Sequence, residues 1–246
     1  MNLAHSSWLC LRSRAFLLAL SVWLTGLLQA APPQYEYNAS PHPDGIGKLF
    51  LGREIAQVMG HQGARWLERP EREQEERPAQ VLELLALQPG DVVADIGAGS
   101  GYFTRRLARA VGPQGTVFAV EIQPEMLGIL TNRLAAESIT NVVPVLGAIA
   151  NPRLPEGTID VALLVDVYHE FSHPYEMMAA ICRALKPGGR VVLIEYRGED
   201  PTVPIKELHK MTEAQVRREM AVHPLIWERT VSDRLPWQHY LEFRRR

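Results

Sequence analysis

The stretch Val92–Thr104, VVADIGAGSGYFT, constrains the fold of this chain more than any other. Val92, Val93, Ala94 and Ile96 make an apolar run suited to a strand buried on both faces. Gly97, Gly99 and Gly101 follow at alternate positions, where a backbone that turns sharply and approaches a ligand must shed its side chains. A helix then begins, and the free amides of its first turn face the same space. Ligands of open α/β sheets sit outside the carboxyl ends of the strands, where the strand order reverses, so this turn predicts a nucleotide site.

Apolar runs and helical segments alternate downstream. The strands are Thr116–Glu121, Asn141–Leu146, Ile159–Val165 and Arg190–Glu195, with helices ending at Val111, opened by Pro124, and spanning His173–Leu185. A turn, Lys186–Gly189, precedes the last of these strands. Such alternation implies right-handed crossovers and a parallel sheet. Thr212 and Gln215 predict a capping box for a helix running to about His223, and Leu225–Val231 and His239–Phe243 are placed to pair as a hairpin.

Spacing within the turn separates two kinds of nucleotide site. The dinucleotide fingerprint is G-x-G-x-x-G, whereas here the third glycine comes one residue early, Tyr102 fills its slot, and Asp95 stands two residues before Gly97. Glu121 ends the next strand, where its two oxygens can accept both hydroxyls of a ribose. This pattern resembles the class I S-adenosylmethionine-dependent methyltransferases. Their acid-then-G-x-G-x-G signature is matched by Asp95, Gly97, Gly99 and Gly101, and their ribose-binding acid by Glu121, within a similarity covering roughly 78–246. The resemblance implies an α/β, Rossmann-like seven-stranded mostly parallel sheet with helices on both faces and an antiparallel C-terminal hairpin. It implies S-adenosyl-L-methionine as cofactor, held by Asp95, Gly97, Ala98, Gly99, Gly101, Glu121, Ile122 and Asp166. One segment departs from the family: after the third strand, where a polar or acidic residue commonly reads the adenine amino group, the chain has Gly147–Asn151, GAIAN.

Acceptor chemistry is expected at the ends of the fourth and fifth strands. Asp166–Phe171, DVYHEF, gathers two acids, a phenol and an imidazole in one loop. Methyl transfer from a sulfonium is an in-line displacement that needs alignment, and a base only where the acceptor holds a proton. His169 is the candidate base, Asp166 and Glu195 the further catalytic candidates, and Tyr196 and His209 possible walls of the acceptor pocket. The fourth strand is not followed by the N/D-P-P-aromatic motif of exocyclic base methylation, nor by a Pro-Cys nucleophile. His169 and His173 have H-x-x-x-H spacing, but Pro174 starts the helix at His173, so no metal site is expected there. The acceptor is expected to be a small molecule methylated at oxygen, nitrogen or carbon. Two rivals remain: a protein that binds the donor without turnover, and a nicotinamide-dependent oxidoreductase.

A net charge of -2 and a pI near 6.5 argue against a nucleic-acid partner. Nothing in the sequence sets an oligomeric state. At the N-terminus, Arg12 and Arg14 precede the apolar run Ala15–Ala31, so 1–31 reads as a signal peptide cut after Ala30 and the chain as exported; the rival is an uncleaved membrane anchor. Residues 32–77 read as a linker and helical cap. No structure is expected over 32–47, and two short helices are expected over 48–67, with His61, Arg65 and Trp66 as candidate cleft residues. Glu68–Pro78 reads as a solvated, charged connector.

Overall fold

The computed structural model describes residues 34–246, so the signal-like segment 1–31 lies outside the described residues. The first described elements are three antiparallel strands, β1 (Glu36–Tyr37), β2 (Gly45–Phe50) and β3 (Arg53–Ala56). They replace both the structureless 32–47 and the first expected helix. Leu51 and Gly52, at φ +49° and +89°, fold the chain back, and that reversal rather than a helical period brings Phe50 and Ile55 to the same interior. The Glu54 carboxylate accepts from the His42 and Gly47 amides and from the Asn38 side chain, tying the three strands together.

A single turn at His61–Gly63 leads into α1 (Ala64–Leu67), α2 (Arg72–Glu75) and α3 (Pro78–Leu85). The connector expected to be solvated is partly interior. Arg72 and Glu76 are buried and paired at 2.6 Å, and Glu76 also accepts from Arg69 at 2.7 Å and from the Tyr196 hydroxyl at 2.9 Å. Burial is tolerated because each charge meets an opposite one and its remaining valences are hydrogen-bonded.

From here the expected alternation holds: β4 (Val92–Ile96), α4 (Tyr102–Val111), β5 (Thr116–Glu121), α5 (Pro124–Ala136), β6 (Val142–Leu146), β7 (Ile159–Val165), α6 (Pro174–Ala184) and β8 (Leu185–Arg197). The Lys186–Gly189 turn is an excursion within β8, whose pairing steps from Leu185 to Arg190 as β7 advances from Ile159 to Val161. Then come β9 (Lys210–Met211), α7 (Glu213–Met220), β10 (Leu225–Val231) and β11 (Gln238–Arg245). Thr212 caps α7 by accepting the Gln215 amide, but the Gln215 side chain bonds Leu51 and Glu219 instead of closing the box, and the helix ends at Met220.

The sheet runs β10-β11-β8-β7-β4-β5-β6, with β9 beside β8 as an eighth strand. All pairs from β8 to β6 are parallel, and β10–β11 and β11–β8 are antiparallel. Alternate residues of β7 separate the two faces. Val161 and Leu163 pack with α3 and α4, whereas Ala162 and Leu164 pack with α6 and α7. Each such leucine contributes about 1.5–3 kcal/mol by leaving water, which makes a one-residue slip of register costly. Because β5 and β7 flank β4 on opposite sides, the order reverses at the carboxyl end of β4, directly above the glycine turn.

Candidate active site

The turn after β4 adopts backbone that only glycine enters freely. Gly97 and Gly99 have φ of +72° and +54°; a Cβ on Gly97 would lie 2.4 Å from Val167, and one on Gly99 2.8 Å from Leu67. The amides of Gly97 and Ala98 both donate to the Val120 carbonyl at 2.9 Å, pinning the turn to β5. Glu121, at the end of β5, accepts from the Gly99 amide at 3.0 Å through one oxygen and from the Ile122 and Gln123 amides through the other. Gly97, Gly99, Glu121 and Ile122 line a cleft of about 490 Å³ over the strand ends.

Asp95, Ala98 and Gly101, expected at the cofactor, are not in that lining. The Asp95 carboxylate lies beneath the turn and accepts from the Thr104 hydroxyl at 2.5 Å, where burial raises it to about 6. Its work is to brace the start of α4 against β4. Asp166 does face the cleft: one oxygen accepts from Gln238 at 2.6 Å, while the buried Oδ1 has no partner. Burial, and after it the nearby Glu76 and Glu195, raise the Asp166 carboxyl well above the ordinary range. An unpartnered buried acceptor under that pressure is a place for a cationic group.

A chain of titratable groups stands at the same cleft. His169 Nδ1 is 2.6 Å from Glu195 Oε2, His169 Nε2 is 3.0 Å from His209 Nδ1, and His209 Nε2 is 3.0 Å from Asp44 Oδ2. Burial lowers both imidazoles to about 4 and raises Glu195 to about 8. Glu170, raised to about 7 by burial, accepts the Met59 amide and sits 3.5 Å from His209 Nδ1 and 3.9 Å from His169 Nε2. His169, Glu170, His209 and Asp44 line the cleft. Glu195 does not; expected as a catalytic group, it lies behind His169 and holds that ring and the Tyr168 amide in place. Arg53 fixes the same loop from β3, donating to the His169 carbonyl at 3.1 Å while forming a two-point ion pair with Glu219.

Sequence reasoning missed Asp44, Gln57, Met59 and Arg72 as cleft residues, because the N-terminal strands and α2 meet the strand ends only through tertiary packing. Of the three cap residues expected there, Trp66 lines the cleft and His61 and Arg65 do not. In the departing loop, the Asn151 side chain accepts the Arg153 amide locally, and Ile149 is the residue that reaches the cleft.

Comparison with known proteins bears directly on this geometry. Residues 93–189 match the family described as Methyltransferase domain, a span that contains the glycine turn, Glu121 and the His169 loop. Over this span the chain is similar to the class I S-adenosylmethionine-dependent methyltransferases. It is 32% identical over 117 residues to the ubiquinone/menaquinone biosynthesis C-methyltransferase UbiE of Ectopseudomonas mendocina, covering 47% of this chain and 46% of that relative. The UbiE of Burkholderia mallei is 32% identical over 110 residues, 45% of each chain. The chain thus spans about half the length of the curated relatives it matches. A methyltransferase from Aquifex aeolicus shares the fold with a TM-score of 0.72 at 22% identity, covering 76% of this chain and 99% of that one. YcgJ from Bacillus subtilis does so with a TM-score of 0.54 at 15% identity, covering 68% and 97%.

The cleft fits the donor of that family, S-adenosylmethionine. The unpartnered Asp166 Oδ1 matches the ammonium of the methionyl portion, and Glu121, which accepts two amides on Oε1 and one on Oε2, retains a lone pair on Oε2 for a ribose hydroxyl. Gly97 and Gly99 leave backbone bare between these two carboxylates.

Proposed function

We propose that this methyltransferase moves a methyl group from S-adenosylmethionine to a small acceptor that enters the cleft beside His169. The observation that carries this reading is that one cleft holds two chemically different sets of groups. Gly97, Gly99, Glu121 and Asp166 supply backbone and anionic contacts suited to the donor, while Asp44, His169, Glu170 and His209 supply titratable groups suited to an acceptor. The bound donor supplies an electrophilic methyl group. The protein's part is to align the acceptor atom behind that methyl, exclude water, and lead the acceptor's proton into the linked cluster of Glu170, His169 and His209. Glu195 and His209 position the ring by bonding its two nitrogens. The cleft volume falls within the range of small-molecule sites, which favours a small acceptor over a polymer.

The test is calorimetric titration with S-adenosylmethionine, followed by incubation of the enzyme with methyl-labelled donor and a fractionated metabolite extract. Donor binding with label transferred to a small product is expected. A folded sample that binds no donor overturns the reading, and binding without transfer to any fraction replaces it with a donor-binding protein. We also propose, from the basic and apolar segment ahead of Pro32, that the protein acts after export. Mass spectrometry of the native protein should then find its N-terminus at Ala31 or Pro32, and an intact Met1 form in the cytosol overturns export.

A further inference from the structure

We propose that His169, Glu170 and His209 form a binding site for a divalent first-row transition-metal ion on the acceptor side of the cleft.

The placement of the side chains is the first reason. His169 Nε2 and His209 Nδ1 face each other at the cleft, and Glu170 Oε1 lies against the same gap. The nearby cations are otherwise engaged, Arg53 with Glu219 and Lys206 with Asp44.

Geometry gives the second reason. The three candidate ligand atoms are separated by 3.0, 3.5 and 3.9 Å, and a circle through points so spaced has a radius of about 2.0 Å, close to zinc–nitrogen and zinc–oxygen bond lengths. No ligand has to move far to bind. Two imidazoles and one carboxylate with the remaining positions open toward a cavity is a donor set for zinc, iron, cobalt or manganese, and too rich in nitrogen for magnesium or calcium.

The outer contacts supply the third. Each candidate imidazole faces a carboxylate with the nitrogen that is not a ligand, His169 toward Glu195 and His209 toward Asp44. Metal-binding histidines carry this arrangement because it fixes the tautomer and strengthens the ligand nitrogen. His209 comes from the turn Glu207–His209, far from the H-x-x-x-H pair of the sequence, so the site exists only in the fold. Resting on the methyl-transfer reading, the ion's further role would be to bind an acceptor oxygen or nitrogen and lower its proton affinity, so that the proton passes to water in the cleft while His169 serves as a ligand.

The test uses the full chain, stripped with a chelator and titrated with cobalt(II) and with zinc(II) alone, following visible absorption and heat. One equivalent per chain is expected. His209→Ala and Glu170→Ala should each weaken binding about 10-fold or more, since even outer contacts of metal sites are worth 10–100-fold. His173→Ala, whose ring bonds Ser172 and does not line the cleft, should bind as the wild type does. His209→Cys should bind cobalt with a new thiolate charge-transfer band, a signal that misfolding cannot produce. Absence of sub-millimolar binding by the wild type, or His209→Ala binding as tightly as the wild type, overturns the site. Donor titrations on the same samples keep the two readings apart: metal without donor binding overturns methyl transfer alone, and donor without metal binding overturns this site alone.

Discussion

Glu121 Oε2 accepts the Gly99 amide at 3.0 Å, so the acid placed to read a ribose also closes the glycine turn beside it. Binding and turn geometry are therefore coupled in one side chain. Glu121→Ala should weaken donor binding by about 1–3 kcal/mol, or roughly 5- to 150-fold in Kd, through loss of charge-assisted hydrogen bonds. Calorimetry checks this, and unchanged affinity would reduce Glu121 to a turn brace.

Asp166 and His169 should fail differently. Asp166→Asn keeps the shape and the bond with Gln238 but removes the negative charge facing the cleft, so donor affinity should drop about 10-fold or more. His169→Ala should leave donor affinity within about 3-fold while lowering the rate with any acceptor, because alignment and proton handling matter only as the methyl moves. Equal loss of donor binding in both variants would place the whole Asp166–Glu170 loop in the donor pocket.

Asp95 gives a separable part of the pH dependence. Burial raises its folded value to about 6 from an ordinary 3.8, so the folded state holds a proton that the unfolded state releases first. The stability it contributes is complete below about pH 4 and is lost as pH rises to about 6, a change of about 3 kcal/mol by linkage. Asp95→Asn should remove that part of the slope and leave the variant more stable than wild type at pH 8, with Thr104 still able to donate to the amide oxygen. Denaturant titrations of both proteins at pH 4.5 and 8 decide it: parallel pH profiles would refute the assignment.

Arg53 joins the N-terminal strands to the catalytic domain through its ion pair with Glu219 at 2.7 and 2.9 Å. Arg53→Ala strands a fully buried carboxylate beside the Tyr168 hydroxyl and should cost about 3–5 kcal/mol. Arg53→Met combined with Glu219→Gln should recover much of that loss, which urea melts of the single and double variants will show.

Local features carried most of the catalytic domain. The strand–glycine–helix stretch at Val92–Thr104, the ribose acid at Glu121 and the alternation through β8 each show themselves within a few residues, since burial on both sheet faces demands continuous apolar runs and a bare backbone demands glycine. The N-terminal segment was misread for the same reason. Leu49, Phe50, Ile55, Val58 and Met59 recur at a rough helical spacing, and only the reversal at Leu51–Gly52, stabilised by the bonds of Arg53 to Glu219 and the His169 loop, selects strands.

Sequence alone determined which cofactor chemistry the chain can house, because the acid, the three glycines and Glu121 are tied to one another by short-range geometry. Tertiary structure decided what surrounds that cofactor. It withdrew Asp95 and Glu195 to supporting positions behind the surface, and it assembled Asp44, His169, Glu170 and His209 from segments separated by up to 165 positions in the numbering. No local pattern encodes such a cluster. Its members are held together by burial and by the pairing of each ring nitrogen, and both arise only once the N-terminal strands have docked over the ends of the sheet.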